Sequence, residues 1–260
     1  MNAPTDRSDR FAVRGRVAIV TGGGRGIGRA LSEGLAAAGA SVVVASRSRE
    51  VCDETVAAIE ATGGTALAVA ADVGEAEARE MLVGATIDRF GRLDILVNNA
   101  GVLKPHRTEK VTDAEFDEIF GINVKGPVFL AQHALPHLAA DGGGTIINVS
   151  ALGAFQPMVG IGAYCAAKAA MVNWTSTMAK EWAAQQVRVN LVVPGPVATD
   201  MILPRDPERR AAFVEQMAGE TLVGRLAEPD DLVGAVLFLA SDASAFMTGR
   251  SLFLDGGMLV

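Results

Sequence analysis

A tyrosine and a lysine four residues apart offer the clearest chemistry in this sequence, in the stretch Tyr164-Cys165-Ala166-Ala167-Lys168. On a helix, residues with this spacing lie one turn apart on the same face, so the phenol and the ammonium would be neighbours. Tyr164 is the only tyrosine in the chain. Taken alone, the pair is interpreted equally well as a packed tyrosine beside a solvated lysine.

A glycine-rich stretch supplies the second candidate site. It reads Thr21-Gly22-Gly23-Gly24-Arg25-Gly26-Ile27-Gly28 and lies between an apolar run typical of a strand and an Ala-rich run typical of a helix. Glycines at such a junction let backbone N–H groups and the helix N-terminus approach a pyrophosphate. Glycine-rich turns are common, and the position between a strand and a helix is what favours a dinucleotide site.

Two arginines indicate which dinucleotide this site prefers. The second apolar run ends in Ala45-Ser46-Arg47, where an acidic residue would select NAD(H) and an arginine accommodates the 2′-phosphate of NADP(H). A guanidinium forks onto phosphate oxygens, and Arg25 in the glycine loop would supply a second cation. Either arginine alone is also interpreted as a solvated surface charge. Together they predict NADP(H) rather than NAD(H).

Short runs of Val, Ile and Ala alternate with longer Ala-rich stretches from Arg16 onward, which is typical of strand-helix-strand units around a parallel sheet. We predict one Rossmann-type doubly wound α/β domain at 13–260, with helices on both faces of a seven-stranded parallel sheet in the order 3-2-1-4-5-6-7. The predicted strands are Val17–Thr21, Ser41–Ala45, Thr65–Ala70, Ile95–Asn98, Thr145–Ser150, Val187–Val193 and Ser251–Leu254.

Three further segments have a predicted structure. The polar N-terminus, Met1 to Arg10, predicts a flexible tail at 1–12. Residues 200–222 contain prolines and clustered charges and predict a substrate lid. The stretch Thr112-Asp113-Ala114-Glu115 predicts a capping box at the start of a helix.

Composition excludes several classes of function. With a net charge of -7 and scattered Lys and Arg, the chain has no basic patch for nucleic acid. No apolar run approaches the roughly 20 residues of a membrane span, so we expect no membrane partner. The only cysteines, Cys52 and Cys165, have no disulfide or metal spacing, which favours the cytoplasm. His133 and His137 are separated by Pro136 and lack the following Glu of a metalloprotease pattern, so no metal site is predicted.

Further motifs give the chain a resemblance to the compact short-chain dehydrogenase/reductases from Arg14 to Gly257. The motifs are the glycine loop, Asp72-Val73, Asn98-Asn99-Ala100-Gly101, Asn123-Val124-Lys125-Gly126, Ser150, Tyr164 with Lys168, Pro194-Gly195 with Thr199, and Asp255-Gly256-Gly257. Jointly they are highly specific. They favour catalysis over packing for the Tyr/Lys pair.

The resemblance implies an oxidoreductase that transfers a hydride between a nicotinamide cofactor and a carbonyl or secondary alcohol. It implies four catalytic residues, namely Asn123, Ser150, Tyr164 and Lys168. The predicted cofactor-binding residues are Thr21, Gly22, Gly24, Arg25, Gly26, Ile27, Gly28, Ser46, Arg47, Asp72, Val73, Asn99, Ala100, Gly101, Tyr164, Lys168, Pro194, Gly195, Val197 and Thr199. Asp72 would hydrogen-bond the adenine or simply form a turn, and Val197 with Thr199 would hold the nicotinamide carboxamide.

Reduction of a carbonyl builds negative charge on its oxygen, which needs hydrogen-bond donors and a proton. Tyr164 would deliver the proton and Ser150 would position the oxygen. We expect Lys168 to lower the pKa of Tyr164, because a unit charge about 5 Å away at an effective dielectric near 20 stabilises the phenolate by roughly 3 kcal/mol. The resemblance also implies that Lys168 binds the nicotinamide ribose and that Asn123 supports a water in a proton relay.

Three segments would surround the substrate, namely 102–106, 151–161 and the chain from Met201. They are mainly apolar, which predicts a free, small, neutral or partly hydrophobic carbonyl compound. Lys104 and His106 would lie at this wall. The spacing from Ser150 to Tyr164 is one residue more than is common in this family, which predicts a longer substrate loop.

Three alternatives stay open. A 3-oxoacyl-carrier-protein reductase shares the motifs, although its acidic partner would meet Ala139-Ala140-Asp141 and Ala184-Gln185-Gln186 instead of basic residues. A catalytically silent NADP(H)-binding protein would not need the whole catalytic set, and a methyltransferase would not need the Tyr/Lys pair. For each of these alternatives, the helices around 124–138 and 163–184 present more apolar surface than one sheet can cover. The resemblance implies that these helices pair between subunits of a homotetramer.

Overall fold

Seven parallel strands form the centre of the structure, a computed structural model that describes residues 10–260. They are β1 Val17–Thr21, β2 Ser41–Ser46, β3 Thr65–Ala70, β4 Ile95–Asn98, β5 Thr145–Val149, β6 Arg188–Pro194 and β7 Ser251–Leu254. Their order in the sheet is β3-β2-β1-β4-β5-β6-β7, so the predicted fold class and strand order are confirmed. The predicted tail lies outside the described residues as far as residue 9.

Four strands have the predicted bounds, and three differ by one residue. β2 continues to Ser46 because this residue still pairs with Ala70 of β3. β5 ends at Val149, so Ser150 follows the strand instead of closing it. β6 begins and ends one residue later than predicted, because its pairing with β7 extends to Pro194.

Eight α-helices lie within the described residues. They are α1 Gly26–Ala37, α2 Arg49–Ala61, α3 Ala76–Phe90, α4 Asp113–Phe120, α5 Gly126–Ala140, α6 Gly162–Trp182, α7 Pro207–Glu220 and α8 Val233–Ala240. Side chains of α1, α2 and α8 share one buried cluster with the sheet, and those of α3, α5 and α6 share another. In β1, Ala18 and Val20 face the first layer and Ile19 faces the second, as expected for a sheet buried on both faces. From residue 10 onward, no helix has the length and apolarity that crossing a membrane requires.

The predicted capping box at the start of α4 is confirmed. The hydroxyl of Thr112 accepts a hydrogen bond from the Glu115 backbone N–H at 3.3 Å, and the Glu115 carboxylate accepts one from the Thr112 N–H at 3.2 Å. α4 then continues into a π-helical turn, Gly121–Lys125, before α5 begins. Such turns are frequent at functional sites, and this one carries Asn123.

Candidate active site at the carboxyl ends of the strands

Hydrogen bonds join the ends of β1 and β4, where the strand order reverses and parallel sheets open a crevice. The Thr21 hydroxyl accepts from the backbone N–H groups of Asn99 and Ala100, each at 3.0 Å. The Asn99 side chain donates to the Thr21 carbonyl at 2.9 Å and to that of Gly22 at 3.4 Å. Predicted cofactor residues from two distant parts of the chain therefore meet at this edge.

The glycine loop leaves the N-terminus of α1 open. Arg25 precedes the helix in an extended conformation, and no side chain caps the first turn. Gly22 and Gly26 have left-handed φ angles of 64° and 50°, which favour glycine. A Cβ on Gly28 would overlap the Gly22 carbonyl, and one on Gly24 would lie 2.7 Å from a Val51 methyl group. The tight loop and the uncapped helix fit the pyrophosphate of a dinucleotide.

Two exposed arginines border this loop. Arg25 and Arg47 form no ion pair with the residues that the structure describes, whereas the nearby Arg29 and Arg49 each pair with a carboxylate one helical turn further along. The hydroxyl of Ser46 already donates to the Ser48 carbonyl at 3.0 Å. Among the described residues, no carboxylate forms an ion pair with Arg25 or Arg47, so both charges are available to a ligand.

Asp72 and Val73 follow β3 on the same side. One Asp72 carboxylate oxygen accepts from the Gly74 N–H at 2.9 Å, as in a turn formed by an aspartate. Val73 is buried, and its carbonyl accepts from the Arg79 guanidinium at 2.7 Å. Arg47 and Asp72 line one end of a groove of about 770 Å³ that continues to Phe129 and Trp174. The four predicted catalytic residues do not line this groove.

Tyr164 and Lys168 lie one turn apart on α6, and both are buried, with 8% and 5% of their surface exposed. The Lys168 Nζ is 5.7 Å from the centroid of the Tyr164 ring and donates to the Val149 carbonyl at 2.8 Å. The Ser150 hydroxyl donates to the Lys168 carbonyl at 3.3 Å. These bonds tie Lys168 to the end of β5, and Tyr164 lies one turn before it on α6.

Asn123 is held by three hydrogen bonds to the backbone. Its Nδ2 donates to the carbonyls of Val102 and Ile119, each at 2.9 Å, and its Oδ1 accepts from the Val102 N–H at 3.3 Å. A Cβ on Gly101 would lie 2.9 Å from this Oδ1 and 3.7 Å from the Lys168 Nζ. The structure therefore brings Asn123 and Lys168 together on either side of Gly101.

The pKa values of the pair differ from the sequence-based expectation. Burial raises the pKa of Tyr164, and the adjacent Cys165 thiol adds to the rise. Burial also lowers the pKa of Lys168 to about 8. In this structure the pKa of Tyr164 is therefore raised, whereas the sequence led us to expect that Lys168 lowers it. Desolvation of the phenolate is the largest cause of the rise, and the Lys168 ammonium is hydrogen-bonded to the Val149 carbonyl.

The segment after β6 closes the crevice from the other side. Gly195 packs so tightly that a Cβ would lie 2.8 Å from the Asp255 Cα. Val197 is buried, and the Thr199 hydroxyl donates to its carbonyl at 3.4 Å. A Cβ on Gly26 would lie 3.3 Å from the Thr199 methyl group, so Thr199 lies against the glycine loop.

At the predicted substrate wall, two basic side chains lie against carboxylates of α4. Lys104 forms an ion pair with Glu118, and the His106 Nδ1 lies 3.1 Å from a Glu115 carboxylate oxygen. The backbone of His106 also pairs with Ile161, which joins the segment after β4 to the one before α6. These pairings were not predicted from the sequence, although the capping box places Glu115 at the start of α4.

The fold and this edge of the sheet define a Rossmann-type dinucleotide-binding protein, and comparisons with known proteins identify its family. A family model described as Enoyl-(Acyl carrier protein) reductase matches residues 22–259. The chain is 38% identical over 258 residues to the short chain dehydrogenase/reductase astE of Aspergillus oryzae, covering 98% of both proteins.

Two solved structures extend this similarity to three dimensions. One is a gluconate 5-dehydrogenase from Burkholderia cenocepacia in complex with NADP and tartrate, with a TM-score of 0.90, 34% identity and coverage of 96% of this chain and 97% of that one. The other is a 7α-hydroxysteroid dehydrogenase complexed with NADH and 7-oxo glycochenodeoxycholic acid, with a TM-score of 0.92, 32% identity and coverage of 97% and 98%. The chain belongs to the short-chain dehydrogenase/reductase family of oxidoreductases, which use a nicotinamide cofactor.

Proposed function

We propose that this protein is an NADP(H)-dependent oxidoreductase that interconverts a ketone and a secondary alcohol in a free small molecule. The proposal rests on the buried pair of Tyr164 and Lys168. Lys168 is hydrogen-bonded to the end of β5 and lies near Gly101. The pair lies at the same edge of the sheet as the glycine loop. The nicotinamide, when bound, supplies or accepts the hydride.

Each residue of the catalytic set has a role that its environment supports. Tyr164 retains its proton because burial raises its pKa, and it donates that proton to the substrate oxygen. The Ser150 hydroxyl rotates from the Lys168 carbonyl to hold the same oxygen. An ammonium has three donors, so Lys168 can bind a ribose hydroxyl while it keeps its bond to Val149. Asn123 fixes the backbone around Val102 and supports the proton relay.

The preference for NADP(H) rests on Arg25 and Arg47. Both are exposed beside the glycine loop, without an ion-pair partner among residues 10–260, so a phosphate would not have to displace a carboxylate. Family membership does not decide this preference, since the similar structures include one NADP complex and one NADH complex. We assign the remaining cofactor contacts to the residues predicted from the motifs.

A neutral, partly hydrophobic substrate suits the walls of the cleft. Phe155, Val159 and Met201 are exposed apolar side chains in the segments assigned to the substrate wall. The basic side chains nearby, Lys104 and His106, already contact Glu118 and Glu115, so they offer little attraction to a charged substrate.

We also propose how this domain is organised in solution. Residues 13–260 act as one catalytic domain with a lid at about 200–222, and the subunits form a homotetramer. Phe116, Phe129 and Trp174 are exposed on α4, α5 and α6, which gives these helices an apolar outer surface. The buried free thiols of Cys52 and Cys165 suit the reducing cytoplasm. A monomer in light scattering at micromolar concentration would contradict the assembly.

A panel of ketones and alcohols, assayed with NADPH, NADP⁺, NADH and NAD⁺, tests the proposal. We expect reduction of a free ketone with NADPH preferred over NADH. Turnover confined to acyl-carrier thioesters would establish the carrier-protein alternative. Binding of NADPH without turnover of any compound would indicate the catalytically silent alternative, and tight binding of S-adenosylmethionine without NADPH binding would support a methyltransferase.

A further inference from the structure

A short hook follows β7 at the C-terminal end of the chain, and we define it as Asp255–Leu259. Gly256 and Gly257 have left-handed φ angles of 64° and 82°, which turn the backbone. The Asp255 carboxylate accepts from the backbone N–H groups of Gly257 and Leu259, each at 3.0 Å, through its two oxygens. One side chain therefore sets the path of the hook.

The hook holds the end of the proposed lid. The carbonyl of Gly256 accepts from the N–H groups of Leu222 and Val223, at 2.8 and 3.2 Å. A Cβ on Gly257 would lie 2.7 Å from the Leu222 side chain, so the contact also depends on the absence of a side chain. The last turn of the lid region is thus seated on the backbone that Asp255 shapes.

The hook also packs under the substrate loop. Met258 and Leu259 contact a buried cluster of three side chains, Leu152, Leu191 and Val193. Leu152 follows Ser150 by two residues, and Met158, from the same loop, packs on the same cluster. Two walls of the cleft that are distant in sequence therefore meet on one five-residue segment.

We propose that Asp255 is a positioning residue for substrate selection, because it shapes the hook that holds the lid end and the substrate loop in one arrangement. The effect on selection rests on the function proposed above. The link between the hook and the lid does not depend on the proposed function, because it can be measured without a substrate.

Limited trypsin digestion tests the link. Arg205 and Arg209 are exposed cleavage sites within the lid region, and cleavage in a folded protein follows local opening. We expect cleavage there to accelerate about tenfold in Asp255→Ala, since two backbone hydrogen bonds are lost. Asp255→Asn, which retains one acceptor oxygen, should be intermediate. The control is Val260→Ala, because Val260 is fully exposed beside the hook. Equal rates in all variants would overturn the link.

A second measurement keeps the test valid if Asp255→Ala fails to fold. For Asp255→Asn and Leu259→Ala, we compare kcat/KM for tetralone with that for butanone, using NADPH. We expect the ratio to change about tenfold or more from that of the parent, because pocket shape sets discrimination of this size. The Kd for NADPH should be unchanged.

The outcomes separate the two proposals. If the parent protein reduces neither these ketones nor any in the wider panel, the proposed function fails, and trypsin digestion still decides whether the hook holds the lid. Faster cleavage with an unchanged ketone ratio would overturn the role of Asp255 in substrate selection.

Discussion

The glycine-loop side of the crevice and the cluster around Tyr164 differ in how far their polar groups are exposed and paired. Beside the glycine loop, Arg25 and Arg47 are exposed and α1 begins without a side-chain cap. Around Tyr164, by contrast, the polar groups of Lys168 and Asn123 are buried and already hydrogen-bonded to the backbone. The first region is open to a ligand from solvent, whereas the side chains of Lys168 and Asn123 in the second are buried and held by hydrogen bonds within the protein.

From this difference we infer which substitutions should have the larger effects. Dipoles that are fixed in advance cost no reorganisation during a reaction, so the loss of one is expensive. An exposed arginine exchanges water for phosphate and is screened by salt, so its net contribution is smaller. We therefore expect changes in the buried cluster to lower turnover strongly and changes beside the glycine loop to alter cofactor affinity moderately.

Of the next four substitutions, Ser150→Ala should have the largest effect. Removal of a donor to the developing oxyanion lowers kcat by about 100- to 1,000-fold, while the Kd for NADPH should be unchanged. Ser176→Ala is the matched control, because its hydroxyl only donates to a carbonyl within α6. Equal kcat values for the two variants would show that Ser150 is not a catalytic residue.

Lys168→Met should change how stability depends on pH. The folded-state pKa of Lys168, about 8, lies below that of an unfolded lysine. Between these values the unfolded chain binds more protons, so rising pH stabilises the parent by up to about 3 kcal/mol. The variant should lack this increase. Urea unfolding between pH 7 and 10 measures it, and parallel pH profiles would show that Lys168 is not buried as a charged group.

Arg47→Asp should shift cofactor preference toward NADH. The loss of charge-assisted bonds to a 2′-phosphate corresponds to a decrease of about 10- to 100-fold in the ratio of kcat/KM for NADPH to that for NADH. Arg49→Asp is the control, since Arg49 is also exposed but pairs with Asp53. If both variants keep the parental ratio of kcat/KM values, Arg47 does not bind the 2′-phosphate.

Thr112→Ala should have the smallest effect, and it tests whether the helix cap of α4 influences NADPH binding. Loss of the cap on α4 costs about 1 kcal/mol of stability and lowers Tm by roughly 2–4 °C, with unchanged NADPH affinity. Thr177→Ala, which removes a hydroxyl within α6 that bonds only to Asn173, is the control. A loss of NADPH affinity in Thr112→Ala would show that the two regions are coupled through α4.

Much of the fold could be predicted from the sequence, because buried parallel strands leave continuous apolar runs. The bounds of β1, β3, β4 and β7 follow directly from such runs, and the capping box fixes the start of α4. The π-helical turn at Gly121–Lys125 could not be predicted, because it depends on how α4 and α5 pack and not on local propensity.

The candidate site was predictable in its residues but not in its electrostatics. Spacing placed Tyr164 near Lys168, yet it did not show that the ammonium would face the Val149 carbonyl or that burial would dominate both pKa values. The pairing of Lys104 and His106 with α4 was equally hidden, since it depends on the position of a helix relative to a loop.

The decisive test of Tyr164 as the proton donor is a comparison of Tyr164→Phe with the parent protein. Phenylalanine fills the same buried space but has no proton to donate, so kcat for ketone reduction should decrease by about 1,000-fold or more, while the Kd for NADPH stays within a factor of about two. A variant that binds NADPH normally and turns over at the parental rate would contradict the assignment of Tyr164 as the proton donor.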